Sequence, residues 1–291
     1  MEKRIRFAGV LFTGIFIASM IFWGCSKQSS EDKTTESSQR PTLTKAEMAY
    51  EALQVQNTYS KHAYYHAIPQ LYCQELEDIW VKQGGPNDKT ASWRNAGGIW
   101  EGMSKIKDWY CNATTENLKI SLEAISRIYP EIKNVPENLG TGAGWAIHTQ
   151  TTPIIEVAGD GKTAKGLWYS PGIMANTVIN NGKAEVSGGW FWEKYGVDFI
   201  KEDGEWKIWH IGMYYDPTPP GWGAEMSMTG EALADQVSKG GENEAQKKIK
   251  ELMAPTRPNP NPYKSWEPKS VMKLEPPFPD PYYTFSETFS Y

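Results

Sequence analysis

The chain has 291 residues, 40% apolar and 13% aromatic, with 13 tryptophans; this excludes a disordered polymer and suffices for one well-buried domain with extensions. The formal charge of −5, with no basic stripe beyond the first residues, argues against nucleic acid as a partner, because phosphate binding needs a positive surface.

At the start, Lys3, Arg4 and Arg6 precede an apolar run from about Ala8 to Trp23, ending in Gly24-Cys25. That layout is an export signal. A small residue before a cysteine, followed by a polar stretch from Ser26 to Arg40, resembles a bacterial lipoprotein lipobox. The resemblance implies residues 1–25 as signal, Cys25 as the lipidated head of the mature chain, and a domain in the cell envelope facing away from the cytoplasm. Bulky Phe22 and Trp23 keep an uncleaved anchor or plain secretion open. Residues 26–41 lack apolar periodicity and read as a flexible tether. Of the remaining cysteines, Cys73 and Cys111 are either two buried thiols or a disulfide, which an exported compartment permits.

The domain is expected over 42–216. Thr44 with Glu47 three residues on is a capping-box signature, and helical apolar spacing continues to His66, with Pro69 ending it. A second helix is expected from about Leu71 to Lys82, closing at Gly84-Gly85-Pro86, and a third from about Met103 to Ser126 with an interruption near Ala113. Between them Ala91–Trp100 reads as a short strand and loop. Gly140–Gly144 opens no helix and is a turn rather than a phosphate cradle. Two hairpins follow, Pro153–Tyr169 around Ala158-Gly-Asp-Gly and Tyr195–His210 around Glu202-Asp-Gly, each with polar turns between β-branched and aromatic stretches.

From 217 to 291 the character changes to an extension with a helix expected at about 230–252, then a tail rich in proline and aromatics. Such a tail cannot form its own core, so its rings must lie on this domain or on a neighbour. With the sheet-face aromatics, this predicts a homodimer or homotrimer.

Helices first, then long antiparallel strands ending in the Asp-Gly-Glu-Trp-Lys-Ile hairpin, resemble the SnoaL-like branch of the nuclear-transport-factor-two-like superfamily over about Ala46–Asp216. The resemblance implies an α+β cone, a curved antiparallel sheet wrapped around N-terminal helices and enclosing a deep pocket. Superfamily members include dehydratases, isomerases and simple binding domains, so it implies a lyase or isomerase, or a non-catalytic binding or assembly module. In the dehydratase-type members a histidine lies just before the Pro-Ile-Ile-Glu-Val-type segment, and His148 matches it. Its usual partner, an aspartate near the end of the first helix, is absent; His66 or Tyr65 takes the place.

Tyr59, His62 and His66 share one helix face by their i, i+3, i+7 spacing. Imidazoles and phenols converging on His148 suit proton transfer next to a carbonyl. The expected catalytic set is therefore His148, His66, Tyr59 and Tyr65. Substrate contacts are expected from His62, Trp100, Trp168, Tyr195, His210 and Tyr214, because such aromatic linings suit a small, largely apolar cyclic molecule. Core packing claims many of these rings as well. The i, i+4 pair His62 and His66 could also grip a cation with His148 or His210. No glutamate stands between them as in zinc peptidases, and neither metal nor cofactor is expected.

Overall fold

The computed structural model describes residues 42–216 and 244–291. The expected signal, lipidated Cys25, tether and first part of the 230–252 helix lie outside the described residues. Among those described, no helix is long and apolar enough to cross a membrane.

Helix α1, Lys45–His66, begins where the capping box places it. The Glu47 N–H donates to Thr44 Oγ1 at 3.2 Å, and the Thr44 N–H to Glu47 Oε2 at 2.7 Å. Its buried residues, Val55, Tyr59 and His62, form one face. The second helix, α2, is shorter than its periodicity predicts, Tyr72–Asp78. Ile79-Trp80-Val81 leaves it to pair with another strand, Ile208 donating to Ile79 and Val81 to Ile208. An apolar triplet serves either geometry, and here burial beside the sheet wins. The expected strand and loop is a hairpin, β1 Ser92–Asn95 and β2 Gly98–Glu101. The third helix is broken as expected. Helix α3, Met103–Lys107, passes through a π turn, Asp108–Asn112, into α4, Ala113–Ile128. Cys73 and Cys111 form a disulfide that ties α2 to that turn.

After the glycine turn come β3 (Trp145–His148), β4 (Thr151–Val157), β5 (Thr163–Asn180), β6 (Lys183–Glu202) and β7 (Glu205–Asp216). Both ends of β6 are tight reversals. Asn181-Gly182 and Asp203-Gly204 all have positive φ, the backbone that lets a two-residue hairpin match strand twist. The sheet order is β2-β1-β7-β6-β5-β3, with β4 on the other half of β5; among the described strands β1 and β7 pair in parallel, as does the isolated Trp80–Ile208 bridge. This is the helix-then-sheet α+β arrangement of the cone.

The two faces of β6 have different cover. Phe191, Glu193 and Tyr195 are buried toward the helices, whereas Trp190 and Trp192 are 53% and 44% exposed on the other face. Farther along that outer face the C-terminal tail lies down. Ile99 and Thr256 with Arg257 exchange backbone hydrogen bonds, the Tyr263 hydroxyl meets Lys194 and Asp216, and the terminal Tyr291 ring rests on Gly196, where a Cβ would meet it at 2.3 Å. Tyr291 and Ser290 both donate to Asp198 Oδ2. The described part of the extension's helix, α5, is Glu244–Met253, and its Met253 carbonyl accepts from the Trp100 indole at 3.0 Å.

Fully buried Lys165 shows what the tail does for stability. Its ammonium pairs with Asp198 at 2.5 Å and sits 4.4–5.0 Å from the ring centres of Phe285, Phe289 and Tyr291. Without the tail this ion pair would lose its cation–π cover and the outer face its apolar lid. A chain ending at Thr256 should lose about 3 kcal/mol, roughly 5–10 °C in melting temperature. Scanning calorimetry of both chains checks this, and equal melting temperatures would show that the tail contributes nothing.

Candidate active site

Five elements converge inside the cone. The inner face of α1 brings Tyr59, His62 and His66. From α2 comes Glu75, from the π turn Tyr110, from β3 His148, and from β6 Phe191, Glu193 and Tyr195. The extra residue of a π turn shifts the side chains that follow it, and Tyr110, beside disulfide-bonded Cys111, reaches Glu75 two residues from Cys73.

Two carboxylates organise the imidazoles. Glu75 Oε1 pairs with His62 Nδ1 at 2.7 Å and accepts from the Trp80 indole at 3.3 Å; its Oε2 accepts from the Tyr110 hydroxyl at 2.6 Å. His66 Nδ1 in turn meets the Tyr110 oxygen. Glu193 Oε2 pairs with His148 Nδ1 at 3.1 Å and accepts from the Tyr195 hydroxyl at 2.8 Å. With both carboxylates ionised, the partners assign the tautomers. Each of the three histidines then donates from Nδ1, which leaves Nε2 as the acceptor of the ring in its neutral form. The His66 and His148 rings are 4.3 Å apart, edge to face.

Burial sets the protonation states. It pushes the Tyr59 and Tyr195 hydroxyls well above the ordinary phenol range, helped by the charge of Glu193, and does the same to Tyr110 beside Glu75. All three stay protonated donors. Burial, with neighbouring His148 and His62, holds His66 well below the usual imidazole range, so it is neutral at pH 7.

Two buried polar atoms here have no partner within the protein, His62 Nε2 and Glu193 Oε1, and the Tyr59 hydroxyl has only the Gln150 amide beside it, without full hydrogen-bond geometry. An unmet buried polar group costs about 1–3 kcal/mol. Gln150 belongs to the exposed corner between β3 and β4. There Thr152, a β-branched residue, holds φ at +48°, and the β4–β5 register shifts between Thr151 and Ile154. Such strain gathers at functional rims.

The structure brings together six of the expected residues: His148, His66, Tyr59, His62, Trp168 and Tyr195. Trp168 packs on Tyr59 with ring centres 4.3 Å apart. It places four elsewhere. Tyr65 turns to the surface and donates to Asp78. Trp100 stacks on Trp109, in the core but away from the histidines. His210 and Tyr214 occupy the outer face. His210 is bonded to Asp198 and the Thr90 carbonyl, and Tyr214 accepts from Arg94. Their strand parity sends them outward, and the tail gives them the burial that made them read as pocket residues.

The expected deep pocket is closed by side chains: Tyr59, His62, Trp168 and Glu193 have no solvent exposure. A groove of about 410 Å³ lies elsewhere, lined by Leu76, Trp80, Met103 and charged residues including Lys107 and Glu202. Donor atoms of His62, His66 and Glu75 lie within 4.8 Å of one another and could hold a cation. Glu75 already accepts from His62, Trp80 and Tyr110, so a metal would have to displace those donors. Sequence reasoning missed Glu75, Tyr110 and Glu193. Glu193 was within reach of it, because the alternation that separates Phe191 from its flanking tryptophans also puts Glu193 and Tyr195 inside.

With that fold and interior in place, the chain matches the SnoaL-like domain family over residues 51–212, and it belongs to that family. No curated protein matches it. Solved structures similar to it include an NTF2-like family protein of Streptomyces avermitilis, described as a dehydratase, at 13% identity and a TM-score of 0.40, covering 58% of this chain and 99% of that one. A type 2 hexachlorocyclohexane dehydrochlorinase, LinA, is 15% identical with a TM-score of 0.35, covering 60% and 96%. An NTF2-like superfamily protein of Salmonella enterica is 14% identical with a TM-score of 0.32, covering 60% and 99%.

A histidine held neutral by the fold gives stability that is full above its unfolded pKa near 6.5 and falls as pH drops below it, because the unfolded chain then binds the extra proton. Between pH 6.5 and 5 the wild type should lose up to about 1.4 kcal/mol per pH unit from His66. His66→Gln should flatten that part of the curve in urea titrations, and an unchanged slope would remove His66 as its source.

Proposed function

We propose that the cone interior is an acid/base site acting on a small cyclic molecule, eliminating water or moving a double bond next to a carbonyl. The observation that carries this reading is the His148–Glu193–Tyr195 group beside the Tyr59 hydroxyl, whose one polar neighbour is the Gln150 amide. Glu193 holds His148 with Nε2 unprotonated, ready to take a proton from carbon or oxygen, and steadies the imidazolium that results. Tyr59, kept protonated, would donate to the substrate oxygen on which charge develops. His66, neutral and one ring away, is placed to pass the proton on. No covalent nucleophile is needed. Membership of a family whose wider relatives include dehydratases and isomerases supports this chemistry and leaves the substrate open. Access would run through the strained corner at Thr152.

The test is turnover of a panel of cyclic β-hydroxy ketones and β,γ-unsaturated ketones. Wild type should convert at least one, and His148→Gln should lower kcat by about 10²–10⁴ with folding retained. Equal turnover in both proteins would sink the assignment.

We also propose an exported, lipid-anchored chain, modified at Cys25 and assembled as a homodimer or homotrimer. Support comes from the lipobox-like start, the Cys73–Cys111 disulfide, which suits an oxidising compartment, and the exposed Trp145, Trp190 and Trp192 on the outer sheet face. Native mass spectrometry of detergent-extracted protein should show a diacylated chain beginning at Cys25 in two or three copies. A chain retaining Met1 would overturn the first part, and a monomer the second.

A further inference from the structure

We infer that the inner site is built for a ligand bearing a positive charge, a protonated amine on a small ring, with the ammonium donating to Glu193 Oε1. This rests on the reading of the cone interior as a ligand site and adds the charge that the ligand must carry.

The first argument is charge balance. Glu75 and Glu193 are both without solvent exposure. Among the described residues, no lysine or arginine forms an ion pair with either; their ionisable partners are His62 and His148. Buried charges are normally paired with a permanent opposite charge or a metal. An imidazole supplies positive charge only while it keeps a second proton, and His148 cannot both hold that proton and act as a base. A cationic ligand relieves Glu193 without occupying the imidazole. An anionic ligand would meet two carboxylates and no fixed cation.

The second argument is the unpartnered oxygen. Glu193 Oε2 accepts from Tyr195 and pairs with His148, whereas Oε1 is buried with no partner within the protein. An ionised carboxylate oxygen only accepts, so the group that completes it must donate, and a charged donor makes the strongest such bond. The third is the surround. Tyr195 donates to this carboxylate, the Tyr59 ring lies 6.2 Å from the Tyr195 ring, and the Phe191 ring lies 4.7 Å from His148. Aromatic faces attract ammonium groups.

The outer face of the same sheet displays the complete assembly. There a buried carboxylate, Asp198, and three rings enclose the Lys165 ammonium. At Glu193 the inner face has the carboxylate with rings nearby, but among the described residues no lysine pairs with it; Lys201, farther along β6, pairs with Glu51 of α1.

The probes are benzylamine, benzyl alcohol and benzoate, one ring with three charges, titrated calorimetrically at pH 7.5 into the full-length chain in detergent. Benzylamine should bind at least about tenfold tighter than benzyl alcohol, the worth of one charge-assisted bond, and benzoate should give no heat. Glu193→Gln should abolish the preference for the amine, and Glu193→Asp, which keeps the charge if the glutamine variant fails to fold, should retain part of it. Benzyl alcohol binding as tightly as the amine, or an amine preference surviving in Glu193→Gln, overturns the inference while leaving a neutral-ligand acid/base site standing. Binding of benzoate, or of none of the three, overturns it as well. The ketone turnover assay then decides separately whether the interior is catalytic.

Discussion

The interior is governed by how two fully buried carboxylates are satisfied. Desolvating a carboxylate is tolerated only when hydrogen bonds and opposite charge replace water. Glu75 meets this through His62 and Tyr110, and Glu193 meets it at one oxygen through His148 and Tyr195, so the partners come from α1, the π turn, β3 and β6. Those bonds fix the elements relative to one another. Removing either carboxylate would free a histidine to turn and strand a phenol, so the geometry of the site and the docking of the helices share one origin. The disulfide supports the same joint, because Cys73 and Cys111 flank the Glu75–Tyr110 contact.

The arrangement departs from the pattern that the resemblance implies. An aspartate near the end of the first helix was the expected partner for the strand histidine, and this chain has none. The structure supplies Glu193 from the sheet itself, two residues from Phe191 and on the same face as His148. The helix position holds His66, bonded through Tyr110 to a second carboxylate. A single acid and base is thus replaced by two imidazole–carboxylate units meeting at the His66–His148 contact. Of the two rings at that contact, His66 is the one that burial holds neutral.

Much of this was legible in the sequence, and the parts that were not share a cause. The capping box, the common face of Tyr59, His62 and His66, and the hairpin turns depend on neighbours within a few residues, which spacing encodes. Glu75 and Tyr110 lie 35 residues apart and meet only when α2 docks on the π turn. The same docking joins Cys73 to Cys111 across 38 residues. Trp100, His210 and Tyr214 read as pocket residues because aromatic richness was assigned to one interior. The sheet in fact buries rings on both faces, helices covering one and the chain's own tail the other.

That double cover bears on how the site can open. The cone interior is closed in this form, so the proposed ligand would have to part something to enter. The tail holds β5, β6 and β7 from outside through Lys165, Asp198 and His210. Opening by spreading those strands would therefore break a buried ion pair and its cation–π contacts. The β3–β4 corner carries no such restraint. Its residues 149, 151, 152 and 153 are exposed, its register with β5 is already broken, and Thr152 gains by leaving its positive φ. Gln150, from this corner, brings its buried amide beside the Tyr59 hydroxyl. Displacing the corner would cost the Thr149 and Thr151 hydrogen bonds to β5 but no buried ion pair, so on the proposed reading the outer clasp and the strained corner together favour access at one end of the cone.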